Sequence, residues 1–182
     1  MRTTSVEERI VSLLKEKGLK ITTMESCTSG LLVSTITDIE GASSVTEGGY
    51  VTYSNEAKIT EGVPAYIINK MGVYSTATAI AMASSCKAKR KADIGIGVTG
   101  TFSNVDPNNV DSKSGEVYYC IDMKDIHFKE KILLPNEFDQ VEGVTTRHQQ
   151  KVYVVKYILT KLEDLLLNGC DPELNKRVTI YE

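Results

Sequence analysis

Along the 182 residues of this chain, apolar positions alternate between a spacing of three to four and short unbroken runs. Val6, Ile10, Leu13 and Leu14 share one helical face within 4–17, where Thr4 or Ser5 can cap the start and Gly18 ends it. A β-branched run at 19–23 predicts a strand, followed by the polar turn MESCTSG at 24–30 and an apolar helix through Leu31, Leu32, Ile36 and Ile39, closed by Gly41. A second strand is expected at 49–53, after which Ser54 or Asn55 can cap a short helix carrying Glu56, Ala57 and Lys58. Pro64 suits the first turn of another short helix over 65–70, and Ser75 caps an alanine-rich helix over 76–89. Residues 92–98 are almost continuously apolar, as in a central strand buried on both faces. The loop at 99–114 is dense in Asn, Asp, Ser and Pro, and long loops of this kind inside a compact domain often carry function. Alternation over 116–123 and 126–134 around Lys124 and Asp125 predicts a β-hairpin. Val141, Val144, Val152, Val155, Leu159, Leu162 and Leu166 then mark one long helix ended by Gly169.

This order of elements predicts an α/β fold, a three-layer α/β/α sandwich around a mixed, mostly parallel central sheet. It forms a single domain over 1–168, with a polar tail over 169–182. Ligands in such sheets sit beyond the carboxyl ends of the strands, and the turns at 25–30 and 99–104 both follow strands, so they should converge on one site. The stretch GASSVTEGGYVTYSNEAK at 41–58 has almost no helical periodicity and gathers Ser43, Ser44, Gly48, Gly49, Tyr53 and Lys58. Glycines and small residues let backbone approach a ligand, while Ser, Tyr and Lys can build a nucleophile without histidine.

Composition narrows the function classes. Apolar and charged fractions of 41% and 25% are those of a soluble globular domain, and a net charge of −3 gives no electrostatic basis for nucleic-acid binding. The cysteines Cys27, Cys86, Cys120 and Cys170 form no CxxC pair, and the charged, helix-forming amino terminus lacks an apolar leader, which together predict a reducing cytoplasmic setting. No apolar run reaches the roughly 20 residues of a membrane span, so no membrane partner is expected. Two histidines, His127 in a predicted strand and His148 in a predicted helix, leave little material for a histidine metal site or a Ser-His-Asp triad, and no metal is expected.

Four motifs carry possible chemistry. Gly95, Gly97 and Gly100 spell GIGVTG, but the first two fall inside a strand rather than in a strand-to-helix turn, so close helix packing explains them better than a dinucleotide site. Gly100 is read as letting backbone approach a ligand. Asn104, Asp106, Asn108 and Asp111 suggest a calcium loop but lack its central glycine, and Gly115 stands where the closing glutamate belongs, leaving a polar turn. Glu25, Ser26, Cys27 and Thr28 stand where a helix begins, fitted either to cap it or to hold a phosphate or oxyanion on free N–H groups. Cys27 has no neighbouring histidine base and reads as a packing residue. Lys58 becomes a general base for Ser43 if burial lowers its pKa; otherwise it is a solvated helix residue beside a turn serine.

The segments TTMESCTSGLL, DIEGASSVTEGGYVTYSNEAK, MGVYS and IGVTGTF followed by GEVYY, with Arg147 in the last helix, resemble the CinA C-terminal domain family, which includes nicotinamide-nucleotide amidases. The resemblance implies an amidohydrolase that converts nicotinamide mononucleotide to nicotinic acid mononucleotide and ammonia through a serine–lysine pair, with no metal and no cofactor. By motif the pair is Ser43 and Lys58, with Tyr53 orienting the lysine or relaying a proton. Glu25, Ser26, Cys27, Thr28, Thr99, Gly100, Thr101 and Arg147 are then expected around the substrate. Sequence leaves open whether Ser43 or Ser26 is the nucleophile, since the distance of each to Lys58 is unknown. Ser29 replaces a family glycine, and TGTFSN at 99–104 replaces TGxAGP, so that Phe102 and Ser103 stand where small residues are usual. Those two departures keep open a nucleotide-binding regulatory domain with little turnover, or an amidase for another small amide. A homo-oligomer is also expected, with a small-molecule nucleotide as the other partner.

Overall fold

In the computed structural model, residues 4–109, 112–124, 126–139 and 141–169 are described. Asp111, Asp125, Cys170 and the rest of the expected tail lie outside them.

Ser5 opens the first helix, α1 (Val6–Lys17), with a capping box: its hydroxyl accepts the Glu8 N–H, and the Glu8 carboxylate accepts the Ser5 N–H. Then follow β1 (Ile21–Glu25), α2 (Leu31–Thr37), a single helical turn at Ala42–Ser44, β2 (Thr46–Val51), α3 (Asn55–Thr60), α4 (Ala65–Met71) and α5 (Thr76–Arg90). The chain continues through β3 (Ile94–Gly100), the hairpin β4 (Glu116–Met123) and β5 (Ile126–Leu133), and α6 (Thr146–Asn168). The strands form one sheet in the order β2-β1-β3-β4-β5. β1 pairs in parallel with β2 and β3, while β4 opposes both β3 and β5. Only β4 therefore runs against the common direction, which makes the mixed sheet mostly parallel as expected.

One face of the sheet is covered by α1, α2 and α6, whose Ile10, Leu14, Leu32, Ile36 and Leu159 join Ile21, Ile94, Ile96 and Val98 in the main core. α4 and α5 cover the other face, with Ile68, Met82 and Cys86 around Met24 of β1. β3 lies at the centre with all its residues buried. Gly95 and Gly97 point at α5: a Cβ on either would stand 2.2 Å from a carbonyl oxygen, of Ala83 and Ala79 respectively. The GIGVTG string is thus a helix-packing seam. At Gly100 a Cβ would meet Glu116 O and Val117 Cα of β4 at 2.5 Å, so packing against β4 also calls for glycine there.

Three boundaries differ from the sequence reading. β1 continues through Glu25, because Met24 and Glu25 are paired on both sides, with Tyr50 and Val51 and with Gly97 and Val98. β2 begins and ends earlier than expected, so Tyr53 lies beyond its carboxyl end. α6 starts only at Thr146, because Gly143 takes a left-handed φ of 74° and Thr145 caps the helix with its hydroxyl. Val141 and Val144 precede it, bridged to each other and exposed. Among the described residues no helix is long and apolar enough to cross a membrane.

Candidate active site

Because β2, β1 and β3 are parallel, their carboxyl ends share one edge of the sheet, and the segments after them meet there. The turn after β1 brings Ser26 and Cys27, the segment after β2 brings Tyr53 and Lys58, and the loop after β3 brings Phe102 and residues 104–109. They enclose a cleft of about 640 Å³, with Tyr74 in its wall and Arg147 of α6 at its rim. The expected convergence of the 25–30 and 99–104 turns occurs here.

The floor is built by Lys58. Ser54 caps α3 by accepting the Ala57 N–H at 3.0 Å, and the first turn of that helix swings Lys58 inward until only 1% of it is exposed. Its Nζ donates to the Thr52 carbonyl at 2.9 Å and lies 3.0 Å from Ser26 Oγ. Burial lowers the lysine from the ordinary 10.5 to about 8, a fall partly opposed by the negative charge of Asp106. An amine near neutrality beside a buried hydroxyl can take its proton. Cys27 is buried in the same floor, and burial pushes its thiol up to about 12, so it remains a thiol at neutral pH.

Ser43 is not part of this site. It is exposed in the turn Ala42–Ser44, before β2, whereas Lys58 follows β2. The six-residue strand crosses the sheet between them, about 20 Å at 3.3 Å per residue. Of the two candidate serines, Ser26 is the one brought to Lys58.

Glu25 also differs from expectation. Its buried carboxylate accepts the N–H groups of Gly30 (3.0 Å), Leu32 (3.0 Å) and Val33 (2.9 Å) and the Thr23 hydroxyl (3.0 Å). The start of α2, read from sequence as a place for phosphate, is thus filled by the protein's own anion. The Ser26 N–H is likewise taken, by Val98 O at 3.0 Å. Thr28 is fully buried, outside the cleft, and its hydroxyl has no partner among the described residues. Thr99 is also buried behind the cleft and donates to Val73 O at 3.0 Å. Gly100 and Thr101 border the cleft, but the Thr101 N–H serves Glu116 O at 2.9 Å and its hydroxyl serves Lys113 O.

At the rim, Arg147 donates from Nη2 to the Tyr53 hydroxyl at 2.9 Å and lies 5.1 Å over the Phe102 ring. Tyr53 is 60% exposed, and the Thr52 carbonyl rather than Tyr53 orients Lys58. Phe102 is buried under the arginine, and Ser103 donates to and accepts from the Gln150 side chain of α6. The two departures from the family pattern therefore tie this loop to α6. Sequence reading missed the Thr52 carbonyl, the clamping role of Glu25, and the hydrogen bonds among Tyr74, Asp106, Asn109 and Asn55. The available signals were a carboxylate ending a strand just before an apolar helix, and the Asx-turn composition of NVDPNN.

Away from the cleft, Ser84, Asp122 and His127 come together, but the same His127 Nε2 faces both Asp122 and Ser84 at 3.3 Å. A relay needs the two on opposite ring nitrogens, so the cluster is no triad. Among the described residues no group of acids, histidines or cysteines is placed to hold a metal.

Fold and site together define an α/β domain with a buried lysine–serine pair at the carboxyl edge of a mixed sheet. Residues 3–154 match the CinA C-terminal domain, and the chain belongs to that family. A putative competence-damage inducible protein of Limosilactobacillus fermentum is 48% identical over 97 residues, 53% of this chain and 23% of the relative. One from Caldanaerobacter subterraneus subsp. tengcongensis is 34% identical over 144 residues, 79% of this chain and 35% of the relative. The chain spans about a quarter to a third of the length of these relatives. The crystal structure of a CinA superfamily protein from Klebsiella pneumoniae 700603 shares the fold, with TM-score 0.79 and 20% identity over 92% of this chain and 99% of that chain. The competence/damage inducible protein CihA from Agrobacterium tumefaciens superposes with TM-score 0.74 at 26% identity, covering 91% and 99%.

Proposed function

We propose that this domain is an amidohydrolase in which Ser26 is the nucleophile and Lys58 its base, acting on the carboxamide of nicotinamide mononucleotide. The observation that carries this reading is the 3.0 Å approach of Lys58 Nζ to Ser26 Oγ in a site where the lysine is almost wholly buried. The substrate is inferred from membership of the family and from the charge at the rim: Arg147 can meet a phosphate there while the floor holds the amide.

The neutral Lys58 amine takes the Ser26 proton as Oγ bonds to the carboxamide carbon. The Lys58 ammonium then returns that proton to the departing nitrogen, the C–N bond breaks, and ammonia leaves a serine ester. Water attacks the ester, again giving one proton to Lys58; the C–O bond breaks, Ser26 regains that proton from the lysine, and the acid departs as carboxylate after releasing its remaining proton to solvent. The Thr52 carbonyl holds Nζ in line through both halves.

The test is ammonia release from nicotinamide mononucleotide by folded wild type, Ser26→Ala, Lys58→Met and Ser43→Ala. Loss of about a thousandfold or more in the first two variants, with Ser43→Ala close to wild type, is the expected pattern. A folded wild type that binds the nucleotide without releasing ammonia would leave a binding domain, and one that does not bind it would leave another small amide. Activity that survives Ser26→Ala would remove the pair.

A further inference from the structure

The loop that walls the cleft is organised by Asp106. Its carboxylate accepts the Tyr74 hydroxyl at 2.6 Å, the Asn109 side-chain amide at 2.6 Å and the Asn108 N–H at 2.9 Å, while its own N–H donates to Ser112 Oγ at 2.8 Å. Asn109 in turn accepts from Asn55 Nδ2 at 3.2 Å. Asn55 is the first residue of α3, and Lys58 follows it by less than one turn. A continuous path of hydrogen bonds therefore runs from Tyr74, between α4 and α5, through the loop to the helix that carries the lysine. The hydroxyl and amide donors hold the Asp106 carboxyl below its ordinary range, so a fixed anion borders the same cleft as Lys58.

We propose that Asp106 is a positioning residue for the Ser26–Lys58 pair, locking the cleft wall to α3 and setting a negative charge opposite the lysine. Its effect on turnover rests on the amidohydrolase reading; its effect on Lys58 does not. The other groups bordering the cleft around Lys58 are Ser26 and Cys27 from the turn after β1, Tyr53 and Glu56 from its own segment, Tyr74 from the α4–α5 connection and Arg147 from α6. The Cys27 thiol is neutral near pH 8, Glu56 lies on the lysine's own helix and Arg147, hydrogen-bonded to Tyr53, keeps its positive charge at the rim; Asp106 is the anion brought to the cleft from outside the lysine's own segment, and it is ionised there. Removing the Asp106 charge should make the ammonium form harder to keep, and Lys58 should titrate at lower pH.

The experiment follows the Lys58 side chain by NMR through a pH titration, with its signal assigned by its absence in Lys58→Met, in wild type, Asp106→Asn, Asp106→Glu and Asn55→Ala. Thermal unfolding confirms that each variant is folded. Asp106→Asn should lower the Lys58 midpoint and Asp106→Glu should restore it, while Asn55→Ala, which cuts the path but keeps the charge, should leave the midpoint in place. In ammonia release at a pH above the Lys58 midpoint of every variant, where the base is neutral throughout, Asp106→Asn and Asn55→Ala should each lower kcat by about tenfold with a smaller change in KM, as expected from misplacing reacting groups. An unmoved midpoint in Asp106→Asn overturns the electrostatic half, and wild-type kcat in both variants overturns the positional half. If wild type releases no ammonia at all, the substrate assignment fails, and the Lys58 midpoint still decides whether Asp106 acts on the lysine.

Discussion

At the scale of single residues, two buried charges define this domain. Lys58 is held where an ammonium loses its hydration, and the Thr52 carbonyl and Ser26 hydroxyl replace only part of it. Its pKa is about 8 in the folded protein and 10.5 when exposed by unfolding, so between these values the unfolded chain binds more protons. Stability therefore rises with pH through that window, and below about pH 8 the full penalty of the buried ammonium remains, on the order of 3 kcal/mol. Lys58→Met should raise the urea midpoint at pH 7, and its advantage over wild type should shrink as pH climbs from 8 towards 10.5. On the proposed amidohydrolase reading the same ionisation governs the rate: kcat/KM for ammonia release should increase with pH and level off above about 8, as the neutral base accumulates. Glu25 is the opposite case, a buried anion with a full set of donors. Glu25→Ala strands those donors and should cost about 3 kcal/mol or more in urea unfolding, which a merely ligand-binding carboxylate would not.

At the scale of elements, the seam between α5 and β3 admits no side chain at Gly95 or Gly97. The atoms in the way are backbone oxygens, which cannot swing aside, so Gly97→Ala should destabilise by about 3 kcal/mol or more in chemical denaturation. The helices were legible in the sequence because their caps are local: Ser5, Ser54 and Ser75 each accept the N–H that their position predicts. Edges without a local stop were less so. The 49–53 reading followed the apolar Tyr50, Val51 and Tyr53, yet pairing with β1 starts at Thr46, a neighbour distant in sequence. Val141 and Val144 continued the helical spacing into residues that Gly143 keeps out of the helix.

At the scale of the whole molecule, the position of the site was legible and the identity of its serine was not. Parallel strands put the turns after β1, β2 and β3 on one edge, a consequence of connectivity that the alternation of helices and strands already implied. The same geometry separates Ser43 from Lys58. They are close in sequence but straddle a strand, while Ser26 and Lys58, 32 residues apart, meet at the ends of neighbouring strands. Ser43→Ala should therefore leave ammonia release within about twofold of wild type, since surface substitutions remote from a site are nearly silent.

The internal anion at the start of α2 also determines how an anionic ligand must be held. With those N–H groups already engaged by Glu25, the cation at the cleft's rim is the guanidinium of Arg147, which stands in solvent. Attraction between solvent-exposed charges is screened over about 8 Å at physiological ionic strength. If the domain captures a nucleotide as proposed, that capture should be sensitive to salt, with KM climbing as sodium chloride is added and kcat nearly constant, and Arg147→Gln should flatten that dependence.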